Sequence, residues 1–189
     1  MRRSIFACGL LLALAGIPSA VATAASGDGS RAPAAPRESR AQTDHTDYWN
    51  AKALRAQAAT ARWLTVIRGR PPQHLSHATA NSSQAAYDLW QKWHRRATAA
   101  AKHAKHPPKL KAWYCIHSHE GAWTDPNAPY WGGLQMDHDF QSAYAPWLLK
   151  HKGTADHWTP FTQIWAGVRA WRVRGFEPWS TSAHACGVY

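Results

Sequence analysis

The sequence predicts a mainly α-helical protein with two parts, an α-helical hairpin and a small C-terminal domain with one disulfide. Two Ala-rich stretches within residues 47–105 repeat their apolar residues at alternating steps of four and three, the spacing of one helix face. From Lys109 onwards, short helical patterns alternate with turns rich in Gly and Pro, and this part contains eight of the twelve Trp. It also contains the two cysteines that are expected to form the disulfide.

Residues 1–25 have the three parts of a secretory signal. A pair of arginines precedes the apolar run Ile5–Ala25, and this run ends in small residues of the A-x-A type. An uncleaved membrane anchor is the alternative, but Gly16 and Pro18 interrupt the run and its core is short for a span. We therefore expect cleavage, secretion to the cell wall, and no stable membrane span afterwards.

Composition and charge exclude several classes of protein. The chain of 189 residues is 45% hydrophobic with twelve Trp, which disfavours a disordered chain, and its single apolar run excludes a multi-pass membrane protein. The formal charge of +11 favours anionic partners such as nucleic acid, acidic lipid or acidic wall polymers. Nucleic acid conflicts with the export signal, so anionic wall polymers are the expected electrostatic partners.

The cysteines predict one disulfide. Cys8 lies inside the signal and would leave with it, so Cys115 and Cys186 remain for an oxidising compartment, where pairing is the expected outcome. The bond would close a loop of about 70 residues, worth roughly 4–5 kcal/mol in the chain-entropy model. For a domain of about 80 residues, whose core alone is marginal, this is a large share of the stability.

The first part of the mature chain is predicted to be a flexible linker, residues 26–43, followed by a helical module, residues 44–107. The linker consists mostly of Gly, Ser, Pro, Ala and Arg. The module comprises two antiparallel helices, Asp47–Arg68 and Ser82–Lys105, separated by a Gly-Arg-Pro-Pro breaker and ended by a Pro-Pro pair. Their basic outer faces suit either association with a wall or membrane or simple solvation, and the role of the module stays open.

The second part, residues 108–189, is predicted to contain short helices around one irregular turn. Thr159 followed by Pro160 is a typical helix start, because Thr caps a helix and proline fits its first position. The predicted elements are a helix over Leu110–Glu120, a long turn or short hairpin over Gly121–Gln135, a helix from Asp137 to near Gly153, a helix from Pro160 to Gly175, and a tail that returns Cys186 to the first helix.

Glu120 is the candidate for chemistry. It ends an apolar-faced helix and precedes a turn rich in Trp, Tyr and Gly. A carboxyl among aromatic rings loses hydration, which favours the protonated form that a general acid needs to protonate a glycosidic oxygen. The rings offer flat faces for sugars, and Gly132-Gly133 permits close approach to the backbone. The alternative is an ordinary surface charge or helix cap.

Three segments of this region resemble a known family. They are Cys115–Trp123 (CIHSHEGAW), Tyr130–Met136 (YWGGLQM) and Gly175–Gly187, which contains Glu-Pro-Trp and Cys-Gly. Together they resemble the transglycosylase-like domain of actinobacterial resuscitation-promoting factors, where Cys-x-x-x-Glu-(Ser)-Gly-Gly-x-Trp precedes Tyr-x-Gly-Gly-Leu-Gln. The resemblance covers about residues 111–189.

The resemblance implies a compact lysozyme-like fold that cleaves the β-1,4 bond between N-acetylmuramic acid and N-acetylglucosamine in peptidoglycan glycan strands, without a cofactor. Glu120 matches the catalytic glutamate, as general acid and base, and Gln135 matches a glutamine that lines the glycan groove. The other candidate substrate contacts are Trp123, Tyr130, Trp131, Gly133 and Asp137. Asp137 is the best second carboxylate, and it is equally suited to cap the following helix.

The sequence departs from the family pattern in places. The Cys-to-Glu spacing is longer here, His117 and His119 stand where small or acidic residues are usual, and Asp139-Phe140 replaces a Thr-Trp pair. The 47–105 helices match none of the family's usual attached domains. These departures leave open whether the product is hydrolytic or a 1,6-anhydro sugar.

Two other functions fit parts of the pattern. A non-catalytic wall-binding protein would keep the fold and the groove without the chemistry. A zinc-dependent wall peptidase would use His117, His119 and His138 with Glu120 and Asp137 as ligands. Because residues two apart on a helix point in different directions, the first two histidines suit zinc poorly, and we expect no metal site.

Overall fold

The computed structural model describes residues 37–75 and 77–189, and these belong to one compact unit. The predicted signal, residues 1–25, and linker residues 26–36 lie outside the described residues. The described ranges are mainly helical, as predicted, and contain no strand, only an isolated antiparallel bridge between Trp131 and Met136. None of the helices in these ranges has both the length and the apolar character needed to cross a membrane.

Seven α-helices and two short 3₁₀ helices make up the described structure. In chain order the α-helices are α1 Arg37–Arg68, α2 Ser83–Lys105, α3 Leu110–Glu120, α4 His138–Tyr144, α5 Pro146–Lys152, α6 Pro160–Arg174 and α7 Ser180–Ala185. The 3₁₀ helices are Ala155–His157 and Glu177–Trp179.

The two long helices run parallel, so the predicted antiparallel hairpin is wrong. In their N-terminal halves, the rings of Trp49 in α1 and Trp90 in α2 lie 4.8 Å apart. Near their C-terminal ends, Lys105 Nζ of α2 lies 5.5 Å from the Trp63 ring of α1. The two residue numbers rise together from one contact to the next, which is the register of a parallel pair.

The connector, residues 69–82, makes the parallel arrangement possible. An extended chain of this length spans roughly 45 Å, whereas α1 rises only about 30 Å between Trp49 and Arg68. Two amide side chains of α1 bind the returning chain. Asn50 bonds with both the N–H and C=O of Ala80, each at 2.9 Å, and Gln57 does the same with Ala78 at 3.2 and 2.9 Å.

Two other elements differ from the prediction. Residues 37–43, assigned by composition to a flexible linker, begin α1, and Thr43 Oγ1 donates to Ser39 O within this exposed helical stretch. The single helix expected from Asp137 to Gly153 is two helices, α4 and α5. Pro146 causes the break because proline has no N–H to continue the backbone hydrogen bonds of α4.

Helix α6 lies at the centre of the fold. Its residues Ile164 and Trp165 are buried in one core with Trp113 of α3, Leu134 of the loop after α3, and Trp179. The Trp113 and Trp179 rings pack edge to face with centroids 5.1 Å apart. This core joins the loop after α3 to the C-terminal tail.

Helix α6 also binds the C-terminal ends of both long helices. Trp165 Nε1 donates to Ala104 O of α2 at 2.9 Å, and Arg169 Nη1 donates to Ile67 O of α1 at 3.0 Å. Arg169 Nε donates to Tyr144 O at the end of α4. Burial, with a smaller contribution from the charge of Arg172, lowers the pKa of Arg169 to about 10. These carbonyls at helix C-termini are favourable partners for a buried cation.

The predicted disulfide is present in the structure. The sulfur atoms of Cys115 in α3 and Cys186 after α7 are 2.09 Å apart, and the Cα atoms are 5.9 Å apart. The bond ties the helix that ends in Glu120 to the C-terminal helix.

We predict that reduction of this disulfide lowers the free energy of unfolding by about 4 kcal/mol, because it restores the entropy of a long loop in the unfolded chain. The measurement is urea unfolding of the purified protein with and without a thiol reductant. A Cys115→Ala/Cys186→Ala variant is the control, since it should unfold at the same urea concentration with or without reductant. Equal midpoints for the native protein in both conditions would contradict the prediction.

Candidate functional site

The candidate site is built around the loop between α3 and α4, residues 121–137. The bridge between Trp131 and Met136 closes a tight turn, with N-to-O distances of 3.1 and 3.0 Å in the two directions. Gly132 and Gln135 adopt positive φ angles of 72° and 48° in this turn. Glycine suits the first of these positions because it lacks a Cβ.

Side chains from four separate elements bind the backbone of the turn. Gly133 is held on both sides, since His117 Nδ1 of α3 lies 3.0 Å from its carbonyl oxygen and Gln163 Oε1 of α6 accepts from its N–H at 2.8 Å. The next two contacts are to carbonyl oxygens further along the turn. Trp179 Nε1 donates to Leu134 O and Gln141 Nε2 of α4 donates to Met136 O, each at 2.7 Å. The loop is therefore fixed from several sides although it has almost no regular structure.

Gln163 makes the largest number of these contacts. Its side chain is completely buried, and its Nε2 lies 2.7 Å from Trp123 O, 2.8 Å from Ala155 O and 3.1 Å from Trp158 O. The amide therefore joins α6 to both ends of the loop and to the 3₁₀ turn before α6. A Cβ on Gly132 would lie 2.5 Å from Gln163 Oε1, so this glycine gives the amide its space.

Two adjoining cavities lie beside the loop. The first has a volume of about 460 Å³ and the second about 430 Å³, and Pro178 and Trp179 line both. The first also contacts Tyr130, Gln135, Asp137, Asp139, Phe140, Tyr144 and Arg174. The second also contacts His119, Glu120, Ser180, Thr181 and Ser182.

Glu120 lines the second cavity at the C-terminal end of α3. Its side chain is half-buried, and Ser182 Oγ donates a 2.6 Å hydrogen bond to its Oε1. Ser182 itself is buried and belongs to α7, which the disulfide ties to α3. The carboxyl group is thus oriented by a hydroxyl from a helix that is covalently linked to its own.

Three of the other predicted site residues line the first cavity. Tyr130 is 49% exposed. The amide of Gln135 donates to Asp125 Oδ2 at 2.9 Å and to Gly132 O at 3.0 Å, which fixes its orientation beside the turn. Asp137 caps α4 by accepting from Phe140 N at 2.6 Å and also lines the cavity. Of the two roles expected for Asp137, second carboxylate and helix cap, the structure therefore contains the cap.

Trp123, Trp131 and Gly133 are outside the linings of both cavities. Trp123 stacks on the His117 ring at 3.8 Å between centroids, and both rings press on Gly133, where an added Cβ would meet them at 2.6 Å. Gly133 is buried, and its N–H and C=O contact protein groups. These residues shape the loop, and the glycine gives room to the protein's own rings.

Sequence analysis missed several residues of the site, above all Ser182 and Arg174. Arg174 lines the first cavity, and hydrogen bonds with Tyr144 and then Glu177 raise the pKa of its guanidinium above the ordinary value. Its position just before the closing Gly-Phe-Glu-Pro-Trp segment was a usable signal, because that segment carries the shared wall, Pro178 and Trp179.

The histidines of the zinc alternative are not brought together. Among the described residues, the cluster with metal-binding atoms within 4.8 Å of one another consists of Cys115, His119 and Cys186, and both of its sulfurs belong to the disulfide. His117 faces Gly133 and Trp123 instead.

Comparison of the chain with models of known protein families, with curated proteins and with solved structures finds no match.

We predict that Gln163→Leu lowers the free energy of unfolding by about 3 kcal/mol. The leucine leaves Gly133 N and several carbonyl groups buried without their partner, and each such loss costs roughly 1–3 kcal/mol. Urea unfolding measures the effect, with Gln42→Leu on the exposed part of α1 as the matched control. A loss no larger than that of the control would show that the amide does not stabilise the loop.

Proposed function

We propose that this protein is an exported peptidoglycan-cleaving glycosidase with a lysozyme-like C-terminal domain and Glu120 as its general acid and base. The observation that supports this most is the setting of Glu120. A half-buried carboxyl, bonded to the Ser182 hydroxyl, faces the second cavity, which shares Pro178 and Trp179 with the first. The motif resemblance to the transglycosylase-like domain of resuscitation-promoting factors assigns the same residue.

The paired cavities suit a stretch of glycan strand. Their volumes lie within the range of ligand sites, and Pro178 and Trp179 provide a shared wall between Glu120 and the other groups. The first cavity combines the aromatic rings of Tyr130 and Phe140 with polar groups such as the Gln135 amide. Rings that stack on sugar faces and amides that bond hydroxyl groups are the usual means of binding a saccharide.

In the first chemical step, protonated Glu120 donates its proton to the glycosidic oxygen as the bond to the muramic anomeric carbon breaks. The N-acetylglucosamine side leaves as an alcohol, and the muramic ring acquires oxocarbenium character. The Ser182 hydroxyl keeps the resulting carboxylate in place, since it is a hydrogen-bond donor to Oε1.

The second step needs a nucleophile for the anomeric carbon. Water would give the hydrolytic product, and the C6 hydroxyl of the same muramic residue would give the 1,6-anhydro product. In both, Glu120 takes back the proton as base. We favour the intramolecular route, because Asp137, the best second carboxylate, has one oxygen engaged in capping α4. Mass spectrometry of released fragments distinguishes the routes, since the anhydro product is lighter by one water.

The positive charge supports a place of action at an anionic cell wall. The sequence has a formal charge of +11, or +9 without Arg2 and Arg3 of the predicted signal, and such a charge concentrates a protein at polyanionic polymers. Salt screens this attraction, so binding to the wall should weaken as ionic strength rises.

We predict that Glu120→Gln abolishes the clearing of purified peptidoglycan, with a loss of at least about a hundredfold, because the amide cannot deliver the proton. Asp88→Asn is the matched control, since it removes one negative charge from an exposed residue of α2 far along the chain from the site. Turbidity of the wall suspension is the measurement, with circular dichroism to confirm the fold of both variants.

The same variant separates the alternatives. A non-catalytic binding protein is indicated if the unaltered protein does not clear the wall suspension, while it and the Glu120→Gln variant both co-sediment with the wall. Clearing that is unchanged in Glu120→Gln would remove this residue from the mechanism. Clearing that a chelator abolishes and zinc restores would indicate the peptidase.

We predict that Ser182→Ala lowers kcat on soluble glycan fragments about tenfold and leaves KM nearly unchanged. The variant loses the hydrogen bond that orients the Glu120 carboxyl, worth roughly 1.5 kcal/mol for a charged partner, and leaves the first cavity intact. Ser182→Thr should restore most of the rate because it keeps the hydroxyl group. Equal kcat in the alanine variant, or an effect on KM alone, would contradict a positioning role.

A further inference from the structure

A third cavity lies between the two long helices and their connector, apart from the Glu120 site. It has a volume of about 510 Å³. Its inner surface is largely apolar and includes Leu64 and Ile67 of α1, Leu75 of the connector and Trp93 of α2. Trp93 is buried and the other three are half-buried. A cavity of this size with such a lining is typical of a site for a small apolar group.

The polar groups of this cavity are all basic or neutral. Arg68, His74, Arg96 and His103 line it and are exposed, and no carboxylate belongs to its lining. Within residues 37–75 and 77–189, neither arginine forms an ion pair with an acidic side chain. The cavity therefore combines an apolar interior with cations that have no counter-charge.

Arg96 is the best placed of these cations. Its guanidinium carbon lies 4.8 Å from the centroid of the Trp93 ring, so the charge sits directly over the apolar surface. Arg96 lies more than two turns before the end of α2, beyond the reach of the negative end of the helix dipole. An anionic group at this position would gain a charge-assisted hydrogen bond.

The two helical walls of the cavity are held in place by the protein itself, because the C-terminal ends of α1 and α2 are bound to Arg169 and Trp165 of α6. The connector is bound to α1 by the Gln57 and Asn50 amides at Ala78 and Ala80, beyond its residues that line the cavity. Helical walls that do not have to be ordered by a ligand lower the cost of binding.

We propose that this cavity binds a single-chain amphiphile with an anionic head, its acyl or alkyl chain against Leu64, Ile67 and Trp93 and its head at Arg96 and Arg68. The shared head chemistry is a carboxylate or a phosphate monoester. A polysaccharide is disfavoured because the inner surface offers few hydrogen-bonding groups, and a neutral lipid would leave the cations unused. The proposal is independent of the Glu120 chemistry.

The probe is decyl phosphate, used below the concentration at which it forms micelles. It is titrated into the full-length protein, and binding is measured by calorimetry. We expect one molecule to bind per chain. Decanol, which lacks the charge, and inorganic phosphate, which lacks the alkyl chain, should each bind at least about tenfold more weakly. This pair of controls separates the contribution of the phosphate head from that of the alkyl chain.

The variants test the location. Arg96→Gln should weaken binding of decyl phosphate about tenfold, the effect of one lost charge-assisted bond. Arg95→Gln is the matched control: it removes the same charge from the neighbouring exposed residue, which is not in the lining, and should change binding less than twofold. Ala100→Phe, which fills the cavity, should abolish binding while circular dichroism stays unchanged.

Several results would overturn the proposal. They are no binding by the unaltered chain, equal losses in Arg95→Gln and Arg96→Gln, or tight binding that survives Ala100→Phe. Binding to phosphatidylglycerol vesicles without binding of monomeric decyl phosphate would assign the surface to a membrane instead. Self-association that Ala100→Phe abolishes, without amphiphile binding, would assign the cavity to a second copy of the chain. Loss of wall clearing in Glu120→Gln bears on none of these outcomes.

Discussion

The candidate site depends on the hydrogen bonds that the buried amide of Gln163 forms with the loop. A loop of Gly, Pro and Asn residues has no internal hydrogen-bond ladder, so its backbone groups need partners from outside it. Gln163 supplies an acceptor for Gly133 N and a donor shared between Trp123 O and two carbonyls of the turn before α6. In a dry interior such bonds are strong and their absence is costly, so one side chain sets where the loop meets the rest of the fold.

Helix α6 makes the candidate site and the helix pair parts of one structure. Gln163 on one side of this helix binds the loop, and Trp165 and Arg169, one turn apart, bind the ends of α2 and α1. Because the long helices are parallel, both C-terminal ends reach α6 together, and a single helix turn caps both. A change in α6 is therefore expected to affect the Glu120 site and the basic, apolar cavity at once, although the two sites have separate linings.

The sequence predicts the elements of this fold better than their direction. The stripe spacing, the Thr159 cap and the two remaining cysteines predict helices and a disulfide that the structure contains. A stripe of apolar residues, however, is the same whichever way the partner helix runs. The direction depends on the connector, whose length and amide contacts allow it to return along α1. Short connections make antiparallel pairs the usual expectation, and a connector of this length does not enforce one.

The site shows a similar division between chemistry and geometry. Residue type and position single out Glu120, but the hydroxyl that orients it comes from a residue 62 positions away. The disulfide could have revealed it. Cys186 lies next to Cys115, five residues before Glu120, and Ser182 lies one helical turn before Cys186. If the two helices have antiparallel chain directions at this bond, Ser182 and Glu120 lie on the same side of it and come close together, as the structure has them. A covalent link between helices thus predicts side-chain neighbours that no local pattern contains, which makes the cysteine pair the most informative feature of this sequence about the surroundings of Glu120.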